Sequence, residues 1–202
     1  LGSLACNDAK ITILGPSKLF YNWCIANSNK TCEKAKDIPN INTYTVNSQD
    51  REEEYIPGRI DWPQNDSTSE INLFEYPGIK ILFTGDCGRK GLAQAMKYAD
   101  DNSIDLSDVQ IIKMPHHGSR HNIDISFLNR FSNKKCTCYI SCTKNDEGHH
   151  PSKRLVNLLN EKGFKVVSTS GSTLHRGHNA PERGWETAKP LGCYPTIEKL
   201  DL

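Results

Sequence analysis

Two stretches of the chain decide its fold: Ile81-Leu-Phe-Thr-Gly-Asp86 and Ile111-Ile-Lys-Met-Pro-His-His-Gly-Ser119. Each begins as a short apolar run, which is typical of a buried strand. Each then ends abruptly at glycine and at a residue type that binds metals. Strands of this kind deliver an aspartate and a histidine pair to one edge of a sheet, where α/β folds place their chemistry. Aspartate oxygens and neutral imidazoles are ligands that Zn²⁺ accepts.

The sequence on either side of these stretches alternates between strand and helix patterns. Two β-runs joined by Pro77-Gly78 predict a hairpin, and Pro151 followed by spaced leucines and Gly163 predicts a helix with defined ends. The expected strands are 10–14, 70–76, 79–84, 108–114, 136–141 and 164–168; the expected helices are 17–26, 90–99, 123–131 and 151–163. This alternation favours an α/β layered domain.

A chain of 202 residues has room for one well-buried domain. We expect a single domain over residues 1–202, with the motifs in a core at about 66–170. Residues 28–66 are polar and predict a flexible insertion, and residues 171–202 predict a loop-rich tail. No stretch approaches the ~20 apolar residues of a bilayer span, so no membrane segment is expected.

Charge is distributed unevenly along the chain. Residues 1–110 hold 11 Lys and Arg against 16 Asp and Glu, a net −5, whereas residues 111–202 hold 14 against 8, a net +6. The half with the paired histidines is thus the basic half, which suits an anionic partner such as nucleic acid. An unevenly charged solvated surface explains so small an excess equally well.

Eight cysteines are present, and none forms a Cys-x-x-Cys pair. Cys136, Cys138 and Cys142 share parity on one strand-like run and so share one face of a sheet. Buried free thiols are favoured over a metal or disulfide cluster. Free thiols favour a reducing compartment, and we therefore expect a cytoplasmic protein.

Several motifs in this order resemble the metallo-β-lactamase superfamily. The matching segments are Phe83-Thr-Gly-Asp86, Lys113-Met-Pro-His-His-Gly-Ser119, Ser141-x-x-Lys-Asn145 and Gly148-His-His-Pro-Ser152. The branch that they resemble most is the nuclease-like domain of bacterial DNA-uptake proteins of the ComEC type. The resemblance implies an αββα sandwich, of which this chain would be the C-terminal portion.

The resemblance also implies roles for individual residues. In the family, the aspartate of the Gly-Asp motif and a histidine of the His-His-Gly-Ser motif bind metal, which carries over to Asp86 and to His117, with His116 as the less favoured alternative. Ser119 would bind substrate. Lys144 and His150 would lie near the scissile phosphate, as a point charge and as a hydrogen-bond donor or proton shuttle. A surface lysine in a helix-entry loop is an equally good reading of Lys144.

Other histidines are assigned no role. His149 is left unassigned, and His175 and His178 lie in a Gly- and Asn-rich segment where exposed side chains are favoured over ligands.

The family's His-x-His-x-Asp-His cluster is absent, and no histidine precedes His116. A catalytic zinc takes about three protein ligands, so a pair of Zn²⁺ or Mn²⁺ ions would need ligands from an upstream half or from a partner chain. The absence of an initiator methionine favours these two readings over a degenerate site. The expected activity is metal-dependent hydrolysis of nucleic-acid phosphodiesters. The alternatives are a non-catalytic module for protein assembly and a small-molecule metallohydrolase.

Overall fold

The structure is a computed structural model, and it describes residues 1–26, 68–131, 135–143, 150–170, 174–184 and 188–195. Its strands are β1 Ser3–Cys6, β2 Ala9–Gly15, β3 Ile71–Tyr76, β4 Ile79–Phe83, β5 Ile111–Lys113, β6 Thr137–Ile140 and β7 Lys165–Ser168. Its helices are α1 Lys18–Ala26, α2 Arg89–Asp101, α3 Ile125–Asn129 and α4 Lys153–Glu161. The predicted insertion at 28–66 lies outside the described residues.

The seven strands form one mixed sheet in sequence order, β1 to β7. Strands β1 to β4 pair antiparallel, and β4 to β7 pair parallel through helical crossovers. Because parallel crossovers are right-handed, three successive crossovers in one direction put α2, α3 and α4 on the same side of the sheet. The predicted α/β alternation is confirmed. Strand β1 was not predicted, and β5 is shorter than the predicted 108–114.

The hydrophobic core lies between the sheet and these helices. Each of β3 to β7 contributes one residue with no exposed surface to a single row across the sheet: Leu73, Leu82, Ile112, Cys138 and Val166. The helices cover this row with side chains such as Leu92, Ala95, Leu155 and Leu159. Alternation along each strand then sends the next residue to the opposite face.

Among the described residues, no helix covers that opposite face. The adjacent row runs through Phe83, Lys113, Tyr139 and Val167, and apolar side chains remain exposed on it, including Tyr76 at 42 % and Phe83 at 44 %. We call this surface the open face. The described residues thus form one sheet with helices on one side. The second sheet of an αββα sandwich is not among them.

Of the three cysteines predicted to be buried free thiols, Cys136 and Cys138 are buried and Cys142 is half-buried. A hydrogen bond between the thiols of Cys138 and Cys136 raises the pKa of Cys138, and burial raises it further. Cys142 is a free thiol in hydrogen-bond contact with Ser168 Oγ at 3.0 Å. Within the described ranges, no helix has the length and apolarity to cross a bilayer.

Candidate hydrolytic site

The two deciding stretches meet at the carboxyl edge of the parallel strands. β4 leads through Thr84 to Gly85-Asp86, and β5 leads through Met114-Pro115 to His116-His117. The two loops are tied together by hydrogen bonds: the His116 amide donates to the Gly85 carbonyl oxygen at 3.2 Å, and Thr84 Oγ1 donates to the Lys113 carbonyl oxygen at 2.6 Å. The aspartate and the histidines therefore sit on adjoining loops, as the sequence predicted.

The histidine loop has an unusual backbone. His116, His117 and Gly118 all have positive φ, at 43°, 55° and 79°. Residues other than glycine rarely adopt this backbone conformation. Tight neighbours hold this conformation: a Cβ on Gly118 would lie 3.0 Å from Ile140 Cγ2 and 3.1 Å from Pro151 Cβ. Strained backbone of this kind persists where its surroundings fix it, often at functional sites.

Three imidazoles converge at this edge. The ring centroids of His116 and His117 are 5.9 Å apart, those of His116 and His150 are 5.6 Å apart, and those of His117 and His150 are 6.2 Å apart. His150 arrives from the loop before α4, whose Ser152 amide donates to the Gly118 carbonyl oxygen at 3.1 Å. The structure therefore brings His116, His117 and His150 together from two separate segments.

A hydrogen-bond partner indicates the tautomer of one of these rings. His117 Nδ1 lies 2.5 Å from the Ser141 carbonyl oxygen, which can only accept, so Nδ1 carries a proton and the neutral ring has its lone pair at Nε2. His116 Nδ1 lies 3.4 Å from the Asn122 side-chain amide nitrogen, which also lies 3.2 Å from the Asp86 carbonyl oxygen and 3.4 Å from the Cys87 carbonyl oxygen. When it is neutral, His117 therefore presents an acceptor at Nε2.

Two further residues belong to the site and were given no role from sequence. Asn122 is buried, and its amide nitrogen also donates to the Asp86 carbonyl oxygen at 3.2 Å, which links the aspartate loop to His116. Lys113 Nζ donates to the Gly85 carbonyl oxygen at 3.3 Å. Burial lowers the pKa of the Lys113 ammonium, and the nearby Asp86 carboxylate partly offsets this by raising it.

The remaining predicted residues lie as follows. Ser119 is 4 % exposed, and its Oγ accepts a hydrogen bond from the His121 amide, so its described role is to cap a 3₁₀ turn. Its predicted contact with substrate stays a prediction. Lys144 and His149 lie outside the described residues. His178 lies against the turn between β3 and β4, at the other end of the sheet, where its Nε2 is 3.0 Å from the Pro77 carbonyl oxygen. His175 lines a separate cavity.

The described side chains do not complete a metal site. Among these residues, no three His, Cys, Asp or Glu side chains are arranged so that they could hold one ion. The centroids of the three imidazole rings lie 5.6 to 6.2 Å apart. A bound zinc or manganese would need ligands that the described residues do not supply.

Comparison with known proteins gives one distant relative. The chain is 26 % identical over 148 residues to ComE operon protein 3 of Bacillus subtilis (strain 168). The match covers 72 % of this chain and 17 % of that protein, so the chain spans about one sixth of its relative's length. No protein-family profile matches the chain. No solved structure matches it either.

The relative supports distant homology to a ComEC-type protein and is compatible with a hydrolase-like region.

Proposed function

We propose that this chain carries part of the active site of a metallo-β-lactamase-like hydrolase that cleaves phosphodiester bonds in nucleic acid. The observation that carries the proposal is the meeting of Asp86, His116, His117 and His150 at the carboxyl edge of the sheet, with ring centroids about 6 Å apart. The distant ComEC-type homology and the basic second half of the chain support nucleic acid as the substrate.

The side chains of this site have three proposed roles: hydrogen-bond or proton acceptor, hydrogen-bond donor, and positive charge. The lone pair of neutral His117 at Nε2 suits it to bind an electrophile or to accept a proton, while its Nδ1 is held by Ser141. His116 and His150 lie against it as donors for phosphate oxygens or a departing alkoxide. Lys113 places a positive charge beside Asp86, which favours the binding of an anionic group at this edge.

The two zinc or manganese ions expected from the resemblance belong to this proposal. When bound, such ions activate water and stabilise charge on the phosphate. In the proposal, Asp86 and His117 would share them with ligands outside the described residues, from an upstream segment or a partner chain. The described residues alone do not form a complete site for such an ion.

The open face supports a source for the missing ligands. It is lined by apolar side chains around a groove of about 460 Å³, among them Phe74, Ile81, Phe83 and Ile111. Facing sheets pack about 10 Å apart through such surfaces. We propose that a second sheet covers this groove over β3 to β5 and completes an αββα sandwich, which would bring further ligands to the carboxyl edge. A cytoplasmic location, suggested by the free thiols, is part of the same proposal.

Metal content tests this proposal against a non-catalytic assembly module. The longest natural polypeptide that contains residues 1–202 would be purified without chelators and measured by inductively coupled plasma mass spectrometry. Wild type would be measured beside Asp86→Ala, His117→Ala and the control His178→Ala, whose ring lies at the other end of the sheet. Zinc or manganese in wild type and control, lost in the other two variants, supports a hydrolytic centre. Absence of metal, or equal metal in all four proteins, contradicts it and favours the assembly module.

A further inference from the structure

Besides the apolar groove, the open face has a cavity that lies away from His116, His117 and His150. It has a volume of about 670 Å³ and lies between β6, β7 and the segment at residues 174–184. The floor is formed by side chains of the two strands, including Thr137, Tyr139, Lys165 and Val167. The 174–184 segment forms a wall, with His175 and Arg176 among its lining residues. The groove over β3 to β5 is lined mainly by apolar surface, whereas this cavity exposes more polar than apolar surface.

Positive charge dominates its lining. Among the described residues that line the cavity, four carry positive charge, namely Lys135, Lys165, Arg176 and Arg183, and one, Glu182, is a carboxylate. Concave surfaces that carry charge of one sign concentrate counter-ions of the other. We propose that this cavity is a second ligand site, which binds phosphate groups.

Arg176 is held in position for such a ligand. Its Nη1 donates to Thr137 Oγ1 at 3.1 Å, and Thr137 is 4 % exposed, so the strand fixes one corner of the guanidinium. The planar fork has five N–H donors, and its geometry matches the oxygens of a phosphate. Within the part of the chain that the structure describes, Arg176 forms no ion pair, and neither does Lys165.

Lys165 lies beside this anchor because of the strand register. Thr137 and Lys165 are direct partners in the parallel pair of β6 and β7, and alternation puts both side chains on the open face. An ammonium group and a guanidinium group are thus set on neighbouring positions above the same strand pair. A point charge beside a planar fork is a combination that phosphate groups accept.

The cavity is separate from the histidine site. His117 contacts the Ser141 carbonyl oxygen beyond the carboxyl end of β6, whereas Thr137 begins that strand. Four residues of strand separate them by roughly 13 Å, at about 3.3 Å per residue. The second site therefore does not depend on the proposed hydrolytic function, and phosphate binding there can hold or fail by itself.

Phosphate groups can come from two sources, a free nucleotide or the backbone of a nucleic acid. Isothermal titration calorimetry of the wild-type chain with ATP, and with a single-stranded thymidine oligonucleotide, distinguishes them. Binding of ATP that the oligonucleotide displaces identifies a general phosphate site, and binding of the oligonucleotide alone identifies a backbone site. Either result supports the proposal when it depends on the cavity residues.

The variants that establish this dependence are Arg176→Met and Lys165→Gln, both at exposed positions whose loss leaves the core intact. We expect each to weaken binding about tenfold or more, because each removes a charged hydrogen-bond donor. The matched control is Lys162→Gln, since Lys162 Nζ donates to Asn129 Oδ1 elsewhere on the molecule. Failure of both probes to bind, equal binding by the two cavity variants and wild type, or an equal loss of binding in the control Lys162→Gln would overturn the proposal.

Discussion

The backbone at Gly118 gives a sharp test of how the histidine loop is held. Replacing Gly118 by alanine adds one methyl group at a φ of 79° and at 3.0 Å from Ile140 Cγ2. The glycine carbonyl oxygen accepts the Ser152 amide, and its own amide donates to the Pro115 carbonyl oxygen. The loop therefore cannot move away from Ile140 without disturbing its link to the segment that carries His150.

Two costs add in this variant. The left-handed conformation costs an alanine about 1–2 kcal/mol, and a methyl group forced into a packed surface costs about 1–3 kcal/mol. We therefore expect Gly118→Ala to lower the free energy of unfolding by about 2–5 kcal/mol.

Gly163→Ala is the matched control. Gly163 has a φ of 83°, and nothing lies within 4 Å of an added Cβ, so only the conformational cost of about 1–2 kcal/mol applies. Both variants reduce the freedom of the unfolded chain equally, so this contribution cancels in the comparison. Urea denaturation of the three proteins measures the difference. Equal destabilisation by the two substitutions would refute the packing of Gly118 against Ile140.

Three more predictions test the core, a helix cap and the electrostatics of the site. Leu82→Ala should lower the free energy of unfolding in urea denaturation by about 2–5 kcal/mol because the Leu82 side chain is fully buried. Phe83→Ala should lower it much less, because Phe83 is 44 % exposed on the open face. Similar decreases in the two variants would contradict the assignment of these residues to opposite faces of the sheet. Asp124→Ala should cost about 1 kcal/mol in the same assay, since Asp124 Oδ1 accepts the Phe127 amide at 2.8 Å and caps α3; an unchanged stability would rule out the cap. NMR titration of the Lys113 side chain should give a pKa below the ordinary 10.5, and Asp86→Asn should lower this pKa further because the carboxylate raises it. Because the unfolded chain then binds more protons than the folded protein just below pH 10.5, the contribution of Lys113 to stability should rise with pH in that window. A pKa of Lys113 at or above 10.5 would contradict its burial.

Sequence patterns predicted most of the sheet because each of β3 to β7 contributes a fully buried apolar residue to the row that packs against the helices. Leu82 and Ile112 lie in short apolar runs that predict buried strands, and Pro77-Gly78 predicts the hairpin turn between β3 and β4. Strand β1 was missed because all four of its residues are exposed, so it has no apolar alternation to detect. Its pairing with β2 comes from backbone hydrogen bonds, which leave no trace in side-chain type.

The site was predicted in part for a similar reason. Asp86 and His117 follow strand ends, and strand ends can be located from the apolar runs before them. Lys113 and Asn122 were given no role because their part depends on what surrounds them in three dimensions: burial beside Asp86 for one, and a bridge between two loops for the other. Lys113 did leave one signal, since it interrupts the apolar run of β5.

Cleavage of an end-labelled single-stranded oligonucleotide tests the central claim most directly. The longest natural polypeptide that contains residues 1–202 would be assayed with zinc or manganese present, as wild type, Asp86→Asn, His117→Ala and the control His178→Ala. We predict cleavage by wild type and control, and a loss of about 100-fold or more in the other two variants, the scale expected for a proton-transfer group. No cleavage by the wild type, or equal rates in all four proteins, would contradict the assignment of the carboxyl edge as a hydrolytic site.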